Sequence, residues 1–456
     1  MKRAKVVHDN LNAGGGSERL AFATIELLNE MNFIVDLATL QKPNLKEAER
    51  DFGNGPSNLW KFNKIEILDM YSLLNIEGIR KNKQEKNKND NGENNEINNK
   101  INKSRFNDED YDLIINTHGD LFPYYKVNRE YNRNYSSQEN EKENKINIKS
   151  RSPTIRITYC HYPLVPQLIK KRDYLFLEKF FDSFNEFPQK IKDIIADKVI
   201  ERYDQMMTNT FILTNSKFSK RAIEKIYGNG KVEIATIIYP PVDISKFKIF
   251  SDGFRKNINN SPKKDHNSIL VISRISPDKK IENAIEIGKN LNEKENIDYY
   301  NMTIIGNIIS DDHDYLEKLN NLIAKYDLKD NIKIKPDVAF EELQEIVQRS
   351  SIYIHPTPDE PFGISIVEAM SAGLIPITPN EGDAEFVPSN YQYQSIEQAT
   401  EIIAKIIKNK RENDLNNERK NISDLTNKFS KQKYKENLRK VIESLLENKI
   451  NKQIKI

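Results

Sequence analysis

Short apolar runs bounded by polar turns recur along the first half of the chain, and helix-like stretches such as Glu18 to Met31 separate several of them. The same rhythm restarts in the second half. Strands that alternate with helices are typical of a doubly wound, mostly parallel sheet, so the pattern predicts two successive α/β domains. The predicted strands are Ala4 to Val7, Phe33 to Leu40, Leu113 to Ile115, Ile155 to Cys160, Phe211 to Thr214, Ile269 to Ile272, Met302 to Ile305, Ile332 to Ile334, Ile352 to Ile354 and Ile375 to Ile377.

The segment IIYPPVDISKF (Ile237 to Phe247) separates the two series of strands. Its tandem prolines cannot continue a helix or a central strand, which favours a stiff connection between domains. A length of 456 residues also favours two domains over one core. We therefore expect an N-terminal domain over residues 1–240 and a C-terminal domain over residues 241–424. Apolar residues at helical spacing predict an amphipathic helix within residues 425–456.

Two segments near residues 80–105 and 128–150 are rich in Asn, Lys and Glu and interrupt the first series of strands. Neither has enough apolar surface to offset the entropy of ordering its chain, so both are predicted to be disordered insertions. Compositional drift without a function is the more frequent explanation of such tracts. The polar stretch Lys248 to Asn267 is predicted to be a surface loop.

Charge and cysteine content narrow the class of protein. Lys and Arg number 70 and Asp and Glu 68, a net charge of +2 that argues against a dedicated nucleic-acid binder. Cys160 is the single cysteine, which excludes an intrachain disulfide and a cysteine zinc cage, and fits a reducing compartment. No apolar run reaches the roughly 18 residues of a membrane-spanning helix. We expect a cytoplasmic protein whose contact with a membrane, if any, is peripheral.

The segment HPTPDEPFGISIVEAMSAGLIPITP (His355 to Pro379) is the strongest chemical signal. Its prolines keep the backbone extended after a strand, and a helical pattern begins at Ile364. Glu360 precedes this helix and Glu368 lies about one turn inside it, so both can address one ligand. The free N–H groups of a helix start bind phosphate, and Gly363 permits close approach of a ligand to the backbone. The candidate ligand-binding residues of this segment are Glu360, Phe362, Gly363, Ile364, Ser365 and Glu368.

The segment VISRISPDKKIENAI (Val271 to Ile285) places Arg274 directly after a strand and Lys279 near the start of the next helix. Two cations there could neutralise a pyrophosphate leaving group, and cations placed where charge develops lower a barrier. An exposed, solvated pair is the alternative for any Arg and Lys taken alone. We predict a catalytic role for both.

The glycine-rich segment NLNAGGGSERLAFATIELL (Asn10 to Leu28) joins a strand to a helix, as a phosphate or sugar cradle requires. It lacks the dinucleotide-binding pattern, because Arg19 stands where the third glycine would be. Gly15 and Gly16 are candidate phosphate- or sugar-binding residues, and a tight structural turn is an equally good explanation of the loop.

His161, in RITYCHYPLVP (Arg156 to Pro166), lies at the carboxyl end of a predicted strand, where open α/β sheets bind ligands. A lone histidine is more often structural, but this position favours a catalytic role. The acidic clusters Asp108 to Asp110 and Asp311 to Asp314 are predicted to be loop-like, the second of them capping a helix. We assign no metal ligand and no cofactor.

Together these four segments resemble the retaining family-four glycosyltransferases, also called glycosyl transferases group 1. The resemblance covers both halves from NAGGGSER to EPFGISIVEAMSAG and excludes the polar insertions. It implies the GT-B fold, in which two Rossmann-like doubly wound domains face each other across a cleft and the last helix crosses back to the first domain. It also implies metal-independent transfer of a sugar from a GDP- or UDP-linked donor, through a front-face step that retains stereochemistry.

The resemblance also implies residue roles. Glu360 would contact the donor sugar and Glu368 the ribose, while Arg274 and Lys279 would hold the diphosphate. The remaining implied contacts come from the backbones of Gly363 and Ile364, from Gly15 and Gly16 on the other domain, and from His161 beside the sugar hydroxyls.

A narrower resemblance, carried by NAGGGSER, TYCHYPLV, TNSKFSK and IIYPPVD, is to the α-1,2-mannosyltransferases that extend dolichol-linked oligosaccharides. It favours mannose as the sugar and a lipid-linked glycan as the acceptor. A GT-B nucleotide-sugar epimerase and a non-catalytic nucleotide-sugar-binding protein are the alternatives. The segment Tyr162 to Gln205 mixes aromatic residues with lysines, which is typical either of a lipid-surface helix or of packing against the core.

Overall fold

A computed structural model describes residues 1–12, 14–52, 60–80, 108–125, 154–228, 236–248, 265–308, 313–380, 382, 384–408 and 412–454. The predicted insertions near 80–105 and 128–150 lie outside the described residues except for Arg80, and so does most of the predicted loop from 248 to 267. The chain forms two compact units. Unit 1 comprises Met1–Asn215, Ser219–Ile238 and Lys435–Ile456, and unit 2 comprises Ser216–Phe218 and Tyr239–Tyr434.

The sheet of unit 1 has the order β3-β2-β1-β4-β5-β6-β7, and each neighbouring pair is parallel. All five strands predicted for this half are confirmed. Strands β3 and β7 were not predicted, because β3 (KIEI) is a largely exposed edge strand and β7 has two residues. The strands are β1 Arg3–Val7, β2 Ile34–Thr39, β3 Lys64–Ile67, β4 Leu113–Asn116, β5 Ile155–Cys160, β6 Phe211–Thr214 and β7 Thr236–Ile237.

Helices flank this sheet and bury its apolar residues. The side chains of Ala4, Val6 and Val7 on β1 have no measurable exposure, as expected for a central parallel strand covered on both faces. The helices in this part of the chain are α1 Gly16–Glu30, α2 Leu45–Phe52, α3 Met70–Leu73, α4 Leu164–Lys170, α5 Gln189–Asn209 and α6 Lys217–Tyr227.

The sheet of unit 2 repeats this arrangement with the order β10-β9-β8-β11-β12-β13, again with parallel neighbours. The five strands predicted for this half are confirmed, and β13 is an additional edge strand of two residues. The strands are β8 Ser268–Ile272, β9 Asn301–Gly306, β10 Ile332–Pro336, β11 Ile352–Ile354, β12 Ile375–Pro379 and β13 Gln392–Tyr393. The helices are α7 Ile281–Glu293, α8 His313–Lys325, α9 Phe340–Arg349, α10 Ile364–Ser371, α11 Ile396–Lys408 and α12 Glu412–Leu425.

The predicted C-terminal helix is present as α13, Lys431–Ile454. From Lys435 onward its residues belong to unit 1. Lys435 forms ion pairs with Glu26 and Glu30 on α1, the first with an Nζ–Oε1 distance of 2.7 Å. Since Lys435 and Glu26 are both buried, this contact ties α13 to α1 within unit 1.

Both sheets reverse their strand order at one place, between β1 and β4 in unit 1 and between β8 and β11 in unit 2. In doubly wound sheets, ligands bind outside the carboxyl ends of the strands at such a switch point. The topology therefore directs attention to the residues that directly follow these four strands.

Most aromatic residues between Tyr162 and Gln205 belong to the core of unit 1. Phe181, Phe184 and Tyr203 are among its buried residues, whereas Leu175 is 69% exposed. Packing against the core therefore explains most of the aromatic pattern in this segment. Among the described helices, none combines the length and the apolar character needed to cross a membrane.

Candidate functional site

In unit 2, the polypeptide leaves β11 in an extended turn and enters α10 through Gly363. Gly363 has φ +74°, a left-handed conformation that glycine adopts without steric cost. A side chain there would also collide with Ile366, because a β-carbon on this backbone would lie 2.4 Å from its Cδ1. The residue therefore permits the sharp entry into a helix whose first N–H groups have no partner within the helix.

Lys279 and Glu360 meet beside this helix start. The Lys279 Nζ atom lies 3.1 Å from Glu360 Oε2, and the two side chains are 20% and 23% exposed. Thr357 donates a hydrogen bond of 3.0 Å to the backbone carbonyl of Lys279, which joins the two loops a second time. Burial raises the pKa of the Glu360 carboxyl, whereas Lys279 and His355 lower it. The lowering effects outweigh that of burial, so the pKa lies below its ordinary value. Glu360 is an anion at neutral pH.

Arg274 follows β8 and lies near this pair. Its side chain is 54% exposed, and its Nη2 atom lies 3.6 Å from Asp278 Oδ2. The positive charge of Arg274 contributes to the lowered pKa of Glu360. Gly306, at the end of β9, allows the backbone at Ser273 to approach, since a β-carbon at this position would lie 1.6 Å from the Ser273 carbonyl oxygen. The structure thus brings Arg274, Lys279, Glu360 and the α10 start together.

His355 is a site residue that was not singled out from the sequence. It directly follows β11, is buried, and places Nε2 at 3.9 Å from Glu360 Oε2. Its Nε2 has no hydrogen-bond partner among the described residues, while Nδ1 lies 3.4 Å from the Tyr353 hydroxyl. Burial lowers the pKa of His355 to about 4, so the ring is neutral. Its place at a strand end, the same signal that pointed to His161, could have identified it.

The other predicted donor-binding residues of unit 2 differ in which of their atoms a ligand could reach. The Phe362 ring is buried among Tyr239, Phe386 and Phe429, so any contact with a ligand would come from its backbone. The Ser365 hydroxyl lies 2.8 Å from the Tyr353 hydroxyl. Ile364 and Glu368 are partly exposed on the first turns of α10.

In unit 1, the glycine-rich loop leads into α1 at Gly16. The backbone N–H of Gly15 donates a hydrogen bond of 2.8 Å to Glu18 Oε2, which caps the helix from inside its own first turn. Gly15 is exposed and Gly16 partly exposed. The backbone N–H of Gly15, a predicted donor-binding residue, is therefore already bound by the Glu18 carboxylate of α1.

His161 lies at the carboxyl end of β5. Its Nε2 is 3.3 Å from the Thr117 carbonyl oxygen, which can only accept, so Nε2 carries the proton and Nδ1 is an acceptor. Burial lowers the pKa of His161 and Asp120 opposes that effect, with a net lowering that keeps the ring neutral. A neutral ring with an acceptor nitrogen is suited to bind a hydroxyl group.

A second group of polar side chains at this end of the sheet was not predicted from the sequence. His8 and Asp9 follow β1, and His118 follows β4, where its Nδ1 contacts Asp9 Oδ1. Burial lowers the pKa of His118, but Asp120 and Asp9 raise it to about 9. Asp9 and His118 are 109 positions apart in the chain, and no local spacing relates them.

The two acidic clusters behave differently from each other. The first cluster, predicted to be loop-like, forms a short 3₁₀ turn over Asp108–Asp110. Asp108 is buried and accepts from Lys5 Nζ and from Arg156 Nη1, both at 2.8 Å, so this residue is a structural anchor. In the second cluster, His313 and Asp314 begin α8. Asp311 and Asp312 lie outside the described residues.

The domain that carries Lys279 and Glu360 matches a known family. Residues 254–428 match the family model described as glycosyl transferases group 1. This region is therefore similar in sequence to the group 1 glycosyltransferases. It contains Arg274, Lys279, Glu360 and α10, whereas Gly15, Gly16 and His161 precede it.

Two curated relatives are similar to parts of this chain. The Dictyostelium discoideum GDP-Man:Man(3)GlcNAc(2)-PP-Dol alpha-1,2-mannosyltransferase is 25% identical over 309 residues, which cover 63% of this chain and 59% of that protein. The Salmonella typhimurium O-antigen chain mannosyltransferase RfbU is 29% identical over 161 residues, 35% of this chain and 39% of that one. The chain thus spans less than two thirds of the length of either relative.

Solved structures match over nearly the whole chain. The Anabaena protein HepE in complex with UDP has a TM-score of 0.61 at 14% identity, covering 97% of this chain and 100% of its own. Sucrose-phosphate synthase from Thermosynechococcus elongatus has a TM-score of 0.59 at 13% identity, with coverage of 98% and 100%. These matches, with the two parallel sheets, confirm the predicted GT-B fold.

Proposed function

We propose that the protein is a retaining glycosyltransferase that moves a hexose, with mannose favoured, from a GDP- or UDP-linked donor to a lipid-linked or other glycan. The observation that carries the proposal is the Lys279–Glu360 ion pair beside the start of α10, with Arg274 nearby. This arrangement combines cations and free backbone N–H groups, which suit a diphosphate, with a carboxylate that suits sugar hydroxyls.

In the proposed reaction, the bond between the sugar anomeric carbon and the diphosphate oxygen breaks while a bond to the acceptor oxygen forms on the same face. The acceptor proton passes to the departing phosphate oxygen. Arg274, Lys279 and the α10 start stabilise the negative charge that develops on the diphosphate. They supply the charge that Mg²⁺ would otherwise bring, so we propose that transfer needs no metal at the diphosphate.

The carboxylates complete the donor site in this proposal. Glu360 accepts hydrogen bonds from the sugar hydroxyls, and the partly exposed Glu368 binds the ribose of the nucleotide. Unit 1 offers a hydroxyl-binding group of its own, because the Nδ1 atom of neutral His161 is an acceptor.

Mannose and a lipid-linked acceptor are favoured by the names of the relatives. The Dictyostelium protein is named for GDP-mannose and a dolichol-linked acceptor, and the Salmonella protein for mannose transfer to an O-antigen chain. Exposed Leu175, near the run Lys170 to Arg172, offers an apolar and basic contact for a peripheral association with anionic lipid on the cytoplasmic face.

The test incubates the purified chain with GDP-mannose or with UDP-linked hexoses, with and without a polyprenyl-diphosphate glycan, and omits Mg²⁺ and Mn²⁺. We expect nucleoside diphosphate release that depends on the acceptor, and a product whose anomeric configuration by NMR equals that of the donor. Conversion of the donor without an acceptor would instead establish an epimerase. Donor binding without turnover on any acceptor would establish a binding protein.

A further inference from the structure

The carboxyl ends of β1 and β4 bring together two histidines and an aspartate in unit 1. We propose that His8, Asp9 and His118 bind a divalent transition-metal ion of the zinc class. The proposal goes beyond sugar transfer, to which no metal was assigned, and it stands or falls independently of the transfer reaction. The proposal is based on the positions of these three side chains and of their neighbours Glu18, Thr117 and Asp120.

One nitrogen or oxygen atom from each of the three residues can serve as a ligand, and these atoms all lie within 4.8 Å of one another. His8 Nε2 is 3.6 Å from Asp9 Oδ1, and His118 Nδ1 contacts the same oxygen. In tetrahedral geometry, two ligand atoms that each lie about 2 Å from a zinc ion are about 3.3 Å from each other. Metal binding would displace the proton that His118 Nδ1 shares with Asp9, and small side-chain movements would then complete a coordination shell.

Glu18 offers a fourth ligand. Its Oε1 lies 3.4 Å from His8 Nε2, on the first turn of α1. Its other oxygen, Oε2, accepts from the Gly15 N–H, which holds the carboxylate in position. Two imidazoles and two carboxylates form a ligand set that suits Zn²⁺, Co²⁺ or Ni²⁺ better than Mg²⁺ or Ca²⁺, which prefer oxygen alone.

The hydrogen bonds of Thr117 define the tautomer of His8. The Thr117 hydroxyl donates to the Val7 carbonyl oxygen at 3.0 Å, so its oxygen accepts from His8 Nδ1 at 2.9 Å. The proton of a neutral His8 is then on Nδ1, and the lone pair of Nε2 points toward Asp9 and Glu18. Either a proton or a metal ion on Nε2 removes the repulsion between this lone pair and the two carboxylates.

The Asp120 carboxylate lies beside Nε2 of His118, the ring nitrogen that does not contact Asp9. Its Oδ1 atom lies 3.7 Å from His118 Nε2 and has no hydrogen-bond partner among the described residues, although the side chain is only 11% exposed. Metal-binding histidines usually direct their second nitrogen to a carboxylate, a carbonyl or a hydroxyl that orients the ring. Thr117 is hydrogen-bonded to the second nitrogen of His8, and the Asp120 carboxylate lies 3.7 Å from the second nitrogen of His118.

The test uses the full chain, stripped of metal by dialysis against a chelator and then against metal-free buffer. Calorimetric titration with Zn²⁺ should show one equivalent bound, and Co²⁺ should produce the visible absorption of a tetrahedral complex. We expect H8Q and H118Q to lose stoichiometric binding. Removal of an outer partner typically costs about 10- to 100-fold in metal affinity, and we expect that loss in D120N. His313→Gln, at an exposed histidine of unit 2, is the matched control and should bind as the wild type does.

Circular dichroism on each variant separates loss of binding from loss of folding, and D120N, which preserves the side-chain shape, serves if H118Q does not fold. Absence of stoichiometric Zn²⁺ binding would overturn the proposal, and the group would then be a protonated His118 held between Asp9 and Asp120. Equal affinity in wild type and D120N, or displacement of Zn²⁺ by equimolar Mg²⁺, would overturn it as well. No sugar substrate enters these measurements, so failure of the transfer assay has no effect on their outcome.

Discussion

Lys279 and Glu360 are 81 residues apart in the chain, yet their charged atoms lie 3.1 Å apart in unit 2. The pair joins the turn that follows β8 to the turn that follows β11, the two strands between which the sheet reverses its order. A basic and an acidic group are thereby held together at the point of a doubly wound sheet where ligands bind. We expect substitutions at this pair to lower the rate of transfer, and substitutions elsewhere to weaken nucleotide binding or to lower the free energy of unfolding.

Replacement of Lys279 by methionine should lower kcat by about 10²-fold or more, because a preorganised charge that stabilises the leaving group is lost. Steady-state kinetics with the active donor and acceptor measure this effect. Lys280→Met is the matched control, since the neighbouring side chain is exposed, and should stay within about twofold of wild type. A wild-type kcat in the Lys279 variant would remove that residue from the mechanism.

Glu360→Ala should abolish transfer, because the sugar would lose its anionic contact and Lys279 its partner. Product formation followed by mass spectrometry is the measurement. Asp359→Asn changes an exposed carboxylate one position earlier and should leave the rate nearly unchanged. Near-normal rates in the Glu360 variant, with the same fold by circular dichroism, would contradict its assigned role.

Gly306→Ala should weaken donor binding, because a β-carbon would lie 1.6 Å from the Ser273 carbonyl oxygen and would displace the backbone that carries Arg274. We expect at least a tenfold rise in the dissociation constant of the nucleotide, measured by calorimetry. Gly78→Ala introduces the same methyl group where no atom lies within 4 Å, and it should bind donor normally. Equal nucleotide affinities for the two variants would show that the close contact between Gly306 and the Ser273 carbonyl is not needed for donor binding.

Asp108→Asn should destabilise the protein by about 3 kcal/mol at pH 7, because it removes the carboxylate that pairs with the buried Lys5 ammonium at 2.8 Å. Burial raises the pKa of Asp108, whereas Lys5 and Arg156 lower it. The two cations have the larger combined effect, so the pKa lies below its ordinary value. A carboxylate with a lowered pKa in the folded state stabilises the protein above its unfolded pKa, and this contribution is lost as the pH falls. The difference in unfolding free energy should therefore narrow below about pH 4.

Urea unfolding of wild type and variant at several pH values checks this prediction. Glu109→Gln changes the adjacent, exposed carboxylate and should alter the free energy of unfolding by no more than about 0.5 kcal/mol. A difference between wild type and Asp108→Asn that does not vary with pH would contradict the assignment.

Features that depend on neighbours in the sequence were predictable. Short apolar runs located the buried strands because a parallel strand covered on both faces needs consecutive apolar side chains. The edge strand β3 escaped detection because its exposure removes that requirement, and β7 because two residues are too few to form an apolar run. The motif around Glu360 was visible since its extended turn, Gly363 and helix are consecutive in the chain.

By itself, the sequence determined the two α/β domains, the strand ends at which chemistry is found, and the residue types placed there. Only the tertiary structure decided which of those ends meet. It paired Lys279 with Glu360, placed His355 beside them, turned the Phe362 ring into the core, and brought His118 against Asp9. The physical reason is that strand order, which the chain does not spell out locally, determines which carboxyl ends are neighbours in a parallel sheet.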